Sequence, residues 1–229
     1  MKGILYVVGT PIGNLEDLTF RAASILQSVD LIAAEDTRIS RRLLTHYNIK
    51  TPLIAYHEKN EKSQAEKLIE RLIKGENIAL ISDAGTPCIS DPGYRIIHSA
   101  RKLKMEVFAI PGPSAVTAAL SVSGIPTDHY YFEGFLPAKK GRKSRFESLE
   151  SLTATIVIYE SPVRVLRTLN DIERYWGNRV VSICRELTKI YEETFVGMVM
   201  DAIQHFETFK PKGEFVIMVA KSAYQFEKL

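Results

Sequence analysis

Apolar and polar positions along the chain follow two alternating periods. Short apolar runs at residues 4–8, 31–34, 53–56, 78–81 and 107–110 read as strands. Between them, Leu18, Ala22, Ile25, Leu26 and Val29 recur at helical spacing. Residues 38–47 form a basic helix. Leu68, Ile69, Leu72 and Ile73 mark one face of a helix that ends near Gly75. Residues 94–103 and 113–121 read as two more helices, the second rich in small residues and entered through Pro111-Gly-Pro113. Strands separated by helices predict a mostly parallel sheet with helices on both faces.

The pattern resets around Ser123–Asp128, which places a domain boundary after residue 122. Beyond it, strands are predicted at residues 130–133, 155–159, 180–184, 194–199 and 214–220, with a helix at 163–172. Fewer helices separate the closing strands, so the second sheet is expected to be mixed, with antiparallel pairs. The predicted fold class is α/β. It has an N-terminal domain at 1–122 with a mostly parallel sheet, a C-terminal domain at 123–229 with a mixed sheet, and a cleft between them.

Composition narrows the function classes. The 229 residues suffice for one large or two small domains. Basic and acidic residues number 30 and 27, a net +3 that is too weak to indicate nucleic acid without a local cluster. Cys88 and Cys184 form no CxxC pair, which predicts reduced thiols in a cytoplasmic protein. No apolar run approaches the roughly 18 residues of a membrane span, so no membrane partner is expected. The five histidines show no metal spacing, and no metal is expected.

Candidate chemistry gathers in loops that follow strands, where open α/β sheets bind ligands. Ser82-Asp-Ala-Gly-Thr-Pro-Cys-Ile-Ser-Asp-Pro-Gly93 is longer and stiffer than the roughly 2–6 residues of an ordinary βα turn. Its two carboxylates, Asp83 and Asp91, face whatever it holds. Gly9-Thr-Pro-Ile-Gly13 follows the first strand but has neither the dinucleotide nor the P-loop spacing. It is either a tight turn or a ligand-facing loop. Ile110-Pro-Gly-Pro-Ser-Ala115 is either a capped helix start or an anion site.

Acids and bases sit at further strand ends: Glu35, Asp36 and Arg38, then Tyr159 and Glu160, then Arg185 and Glu186. Singly each suits a structural role; together they lean toward a functional acidic–basic cleft. The run Lys139, Lys140, Arg142, Lys143 and Arg145 is either a solvated surface or a phosphate-binding site.

Four motifs, GTPIGNLEDLT at 9–19, AEDTR at 34–38, SDAGTPCISDPG at 82–93 and IPGPSA at 110–115, occur in the order seen in methyltransferases of the tetrapyrrole-methylase fold. With YESPVR at 159–164, RELTK at 185–189 and GEF at 213–215, the chain resembles the branch of that family that modifies small-subunit ribosomal RNA. The resemblance covers essentially the whole chain. The central loop reads Gly85-Thr-Pro87 where tetrapyrrole branches carry a GDP-type motif, which argues against a corrin or porphyrin substrate.

The resemblance implies S-adenosylmethionine folded into the interdomain cleft of a homodimer. It implies methyl transfer to the ribose 2′-hydroxyl of a cytidine in the decoding region of 16S rRNA, as RNA or within the small ribosomal subunit. The implied cofactor contacts are Gly9, Pro11, Ile12 and Gly13; Asp83, Ala84, Gly85, Thr86 and Ile89; and Ser114 and Ala115. In the second domain they are Tyr159, Glu160, Cys184, Gly213, Glu214 and Phe215. Glu35, Asp36, Glu160 and Glu186 are candidate bases, with Glu35 and Asp36 favoured, and Arg38 and Arg185 would orient a phosphate. Two other readings stay open, a tetrapyrrole methyltransferase and a non-catalytic module that senses the cofactor or assists ribosome assembly.

Overall fold

A computed structural model describes residues 2–208 and 210–225. Its contacts divide between Ser114 and Ala115 into two compact units. The division falls earlier than the expected boundary after residue 122, because the helix Ala115–Val122 packs against a strand of the second unit.

The first unit is a five-stranded sheet of β1 (Leu5–Val8), β2 (Leu31–Ala34), β3 (Leu53–Ala55), β4 (Ile78–Ile81) and β5 (Val107–Ile110). The spatial order is β3-β2-β4-β1-β5, with every pair parallel. β2 and β4 are buried at every position, which is why each is an unbroken apolar run. Helices α1 (Phe20–Ser28) and α2 (Thr37–His46) cover one face, where Ala22, Leu26, Leu43 and Leu44 pack on Val8, Ile32, Ala79 and Ile81. Helices α3 (Glu61–Ile73) and α4 (Tyr94–Lys102) cover the other, where Leu68, Leu72, Ile96 and Ala100 pack on Leu5, Leu31, Ile78 and Leu80.

The second unit starts with α5 (Ala115–Val122) and holds β6 (Tyr130–Phe135), β7 (Thr155–Glu160), β8 (Val180–Arg185), β9 (Glu193–Met198) and β10 (Phe215–Val219). The order is β6-β7-β10-β8-β9; β6 and β7 are parallel and all other pairs antiparallel. The expected mixed sheet is therefore present. Helices α6 (Arg142–Glu150), α7 (Val165–Trp176) and α8 (Val199–Glu207) bury Phe146, Leu169, Ile172 and Phe206 against Ile158, Ile183, Phe215 and Ile217. The basic run continues into α6. One element differs from expectation: the segment predicted as strand 194–199 turns at Val199 into α8. Val199, Ala202 and Phe206 repeat there at helical spacing and fill the core.

Candidate active site

β1 and β4 are neighbours, yet the chain leaves them toward opposite faces, from β1 to α1 and from β4 to α4. Such a divergence marks the switch point, at whose carboxyl-end side open α/β sheets hold ligands. Three loops are fastened together there. The Thr10 N–H donates to the Gly85 carbonyl at 2.8 Å and the Gly85 N–H returns to the Thr10 carbonyl at 3.0 Å. The Thr10 hydroxyl donates to the Ser82 carbonyl at 3.2 Å. Gly9 lies against Gly112 so closely that a Cβ on Gly9 would sit 2.8 Å from the Gly112 Cα. The Thr86 hydroxyl donates to the Pro113 carbonyl at 3.4 Å.

The loop after β4 departs from ordinary backbone. Gly85 takes φ 82°, and Cys88 and Ser90, neither a glycine, take 73° and 67°. Side chains disfavour that region, and such residues persist only where their surroundings hold them. Part of the hold is Glu61 of α3. Its carboxylate accepts the Gly93 and Arg95 N–H groups at 3.1 and 3.2 Å, replacing the cap that glycine cannot supply to α4. Of the residues expected to bind cofactor in this unit, Gly9, Pro11, Ile12 and Gly85 are buried in the joined loops. Asp83, Thr86, Ser114 and Ala115 are half-buried, and Gly13, Ala84 and Ile89 are exposed.

Adjacent strand ends bring the acids of this unit together. Asp36 N–H donates to Asp83 Oδ1 at 2.9 Å, and Asp83 N–H donates to Glu35 Oε2 at 3.4 Å. Burial pushes the Glu35 carboxyl up from its ordinary value; the Asp83 N–H opposes this, and the Asp83 and Asp36 charges add to it. Burial also raises Asp83. Asp91 is pushed up to about 6 by burial and by the Glu35 charge, against a hydrogen bond from Ser82. Asp36 behaves oppositely. It caps α2 by accepting the Arg38 N–H at 2.8 Å, and the Arg38 guanidinium holds its carboxyl well below the usual range. Glu35 is therefore the better proton acceptor of the pair that the sequence singled out.

In the second unit the structure corrects three expectations. Glu160 is buried, not open to a substrate. Its carboxylate accepts the Thr168 hydroxyl at 2.6 Å and the Ser161 N–H at 2.8 Å, and pairs with Arg164 at 3.2 Å. Buried and engaged on both oxygens, this carboxylate is closed to a substrate hydroxyl, so it leaves the set of bases. Arg142 is buried too. It donates to Asp171 at 2.7 Å, to Thr168 at 2.8 Å and to the Pro137 carbonyl at 3.2 Å, which removes it from the phosphate-binding set. The Phe215 side chain belongs to the core, where it meets Phe206, so only its main chain is left for a cofactor.

The remaining residues stand as follows. Arg145 is paired with Glu133 and reaches the Tyr131 hydroxyl, leaving Lys139, Lys140 and Lys143 exposed. Cys184 is buried, its sulfur 3.6 Å from Thr194 Oγ1 and its thiol pushed up by burial. Tyr159 meets Phe132 and Phe135 edge-on. Arg185 pairs with Glu193 at 3.1 Å. Glu186, at φ 52°, accepts Lys189 Nζ at 2.8 Å and the Glu214 N–H at 3.0 Å. Burial works against its charge, but these bonds outweigh it and hold the carboxyl below its ordinary value. Gly213 takes φ 87°, a backbone conformation that side chains rarely adopt, so this turn favours glycine. Among the described residues, no group of three His, Cys, Asp or Glu is placed to hold a metal ion.

A parallel α/β unit with loops joined at its switch point, followed by a mixed-sheet unit, defines a class. The chain belongs to the tetrapyrrole (corrin/porphyrin) methylase family, whose family model matches residues 4–202. Among its relatives is a protein of Halalkalibacterium halodurans named ribosomal RNA small subunit methyltransferase I, 50% identical over 219 residues, covering 95% of this chain and 76% of the relative. The protein of that name in Thermotoga maritima is 48% identical over 218 residues, covering 95% and 98%. The one in Escherichia coli O157:H7 is 46% identical over 233 residues, covering 100% and 81%. Two crystal structures share the fold. Uroporphyrin-III-C-methyltransferase from Thermus thermophilus matches with TM-score 0.67 and 18% identity over 96% of both chains. Diphthine synthase matches with TM-score 0.73 and 12% identity over 95% of this chain and 89% of its own.

Two outcomes follow from this geometry. Arg142→Ala removes the buried donor to Asp171, Thr168 and the Pro137 carbonyl, so urea denaturation should show a loss of about 1–3 kcal/mol. Lys143→Ala, on the exposed side of the same helix, should stay within about 0.5 kcal/mol. An Arg142→Ala variant as stable as wild type would return that residue to the surface set. For Asp91, a native carboxyl raised from 3.8 to about 6 binds its proton more tightly folded than unfolded. Stability from this group is therefore complete at low pH and lost as pH rises through that window. Asp91→Asn removes the slope, so the Tm difference, variant minus wild type, should grow from pH 4 to pH 7. A constant difference would contradict the burial of that carboxyl.

Proposed function

We propose that this chain transfers a methyl group from S-adenosylmethionine to the ribose 2′-hydroxyl of a cytidine in the decoding region of 16S rRNA. The substrate is the RNA or the small ribosomal subunit, and the enzyme works as a cytoplasmic homodimer. The observation that carries the reading is the pair Glu35 and Asp83. These are two carboxyls raised by burial, hydrogen-bonded through neighbouring strand ends and set beside the joined loops. Relatives close to half identical in sequence, named as small-subunit ribosomal RNA methyltransferases, support the substrate class.

The residues present fit the cofactor. Gly9 and Gly112 pack main chain on main chain where any Cβ would collide, which fixes the two loop ends that would flank the cofactor. The main chain of 9–13 and 112–115 would hold it, with Asp83 accepting from hydroxyl groups. S-adenosylmethionine supplies a methyl group made electrophilic by its sulfonium charge. A ribose hydroxyl is a weak nucleophile until its proton leaves, and Glu35 takes that proton. Its raised pKa places it closer to the working pH than an ordinary carboxylate, where a base is most effective. Arg38, tied to Asp36 yet 88% exposed at its side chain, presents its guanidinium to a neighbouring phosphate.

Transfer of labelled methyl to small-subunit RNA, with the modified ribose located by its resistance to alkaline cleavage, tests the assignment. Glu35→Gln should slow single-turnover methylation about 10²–10⁴-fold, the usual worth of a positioned base. Affinity for cofactor and RNA should remain near wild type, since the lost interaction forms only in the transition state. A variant with an unchanged single-turnover rate would remove Glu35 as the base.

A further inference from the structure

We propose that the outer face of α2 is a docking surface for the RNA phosphate backbone, separate from the lysine run that the sequence singled out. The inference rests on the proposed function in taking RNA as the partner. Thr37, Arg38, Arg41, Arg42 and Thr45 line a shallow depression of about 500 Å³. The helix is two-sided apart from Ile39, which is 45% exposed. Ser40, Leu43 and Leu44 face the sheet, and Arg38, Arg41, Arg42 and Thr45 are exposed. Spacings of three and four residues bring these side chains onto one stripe.

Basic helix faces are commonly just solvated surface, and two features separate this one from that case. No acidic residue occurs between Thr37 and His46. Of the other arginines in the unit, Arg95 approaches Glu61 at 3.6 Å, Arg71 pairs with Glu76 and Arg101 donates to the Val107 carbonyl at 3.2 Å, while the exposed Arg21 stands alone on α1 with no second arginine beside it. Among the described residues, the Arg41 and Arg42 side chains make no hydrogen bond or ion pair. Their planar donor forks match phosphate oxygens two at a time, and the hydroxyls of Thr37 and Thr45 add single donors.

Position gives the surface a task. Asp36, the cap of α2, is bonded through its N–H to Asp83 and adjoins Glu35 in sequence. Arg41 and Arg42 lie about 7.5–9 Å farther along the axis, at a 1.5 Å rise per residue. A methylated ribose carries a phosphate on each side. A strand gripped by its phosphates along α2 is thereby led to the carboxyl cluster. Such contacts set register and orientation, not base identity.

The test uses the full chain and a small-subunit rRNA fragment, with binding read by fluorescence anisotropy across a salt series. Arg41→Glu with Arg42→Glu should weaken binding at physiological salt by about tenfold or more and flatten the log–log salt slope by about 1.4–1.8, or 0.7–0.9 per phosphate lost. Cofactor affinity by calorimetry should not change, and a thermal melt checks folding. Arg41→Lys with Arg42→Lys keeps the charge and should keep the slope. An unchanged slope in the glutamate variant overturns the proposal, as does an equal loss in the lysine variant. Methyl transfer by wild type reads the enzyme's function separately: its absence with the slope difference intact would sink the function and leave the surface standing.

Discussion

The close approach of Gly9 to Gly112 is the contact on which the rest of the candidate site depends. It joins the ends of β1 and β5, while the paired bonds between Thr10 and Gly85 join the ends of β1 and β4. Three loops that would otherwise move independently become one rigid floor. Their ordering is complete before any ligand arrives, so binding need not supply it. The strained backbone at Cys88 and Ser90 fits this picture, since a loop fixed at both ends can be held in conformations it would not choose alone.

The same strand adjacency organises the charge. β2 and β4 are neighbours, so Glu35 and Asp83 meet although 48 residues separate them. Burial raises both, and Asp91 joins them at the far end of the loop. One residue along, Asp36 is neutralised by Arg38 and stays ionised. Neighbouring acids of one motif are thus driven apart, one toward proton transfer and one toward capping a helix that carries no acidic residue. The second unit spends its acids differently. Glu160, Thr168, Arg142 and Asp171 form a closed polar chain in which each group satisfies the next.

Much of this was legible in the sequence, and the exceptions have physical reasons. β2 and β4 were readable because burial on both faces leaves only apolar residues. The long loop 82–93 stood out by length and by its Gly and Pro content. Arg142 could not be told from Lys139 or Lys143, because its burial depends on Asp171 and Thr168, some 26 to 29 residues away. Glu160 looked like a strand-end acid of the Glu35 kind. Only the packing of α7, which brings Thr168 and Arg164 over it, shows it to be closed. α8 was hidden because its first residue continues the apolar pattern of β9. Arg41 and Arg42 were seen as part of a basic helix, but their lack of partners is visible only in three dimensions.

The central claim is that the joined loops at the β1/β4 switch point hold S-adenosylmethionine. Gly9→Ala tests it with the smallest possible change, a single methyl group 2.8 Å from the Gly112 Cα and 2.9 Å from its nitrogen. Both are main-chain atoms, so the loops must part. Calorimetric titration of the cofactor into this variant, after a thermal melt has shown it folded, should give affinity reduced by about tenfold or more, the worth of about 1.4 kcal/mol. A folded Gly9→Ala protein that binds S-adenosylmethionine as wild type does would contradict the account.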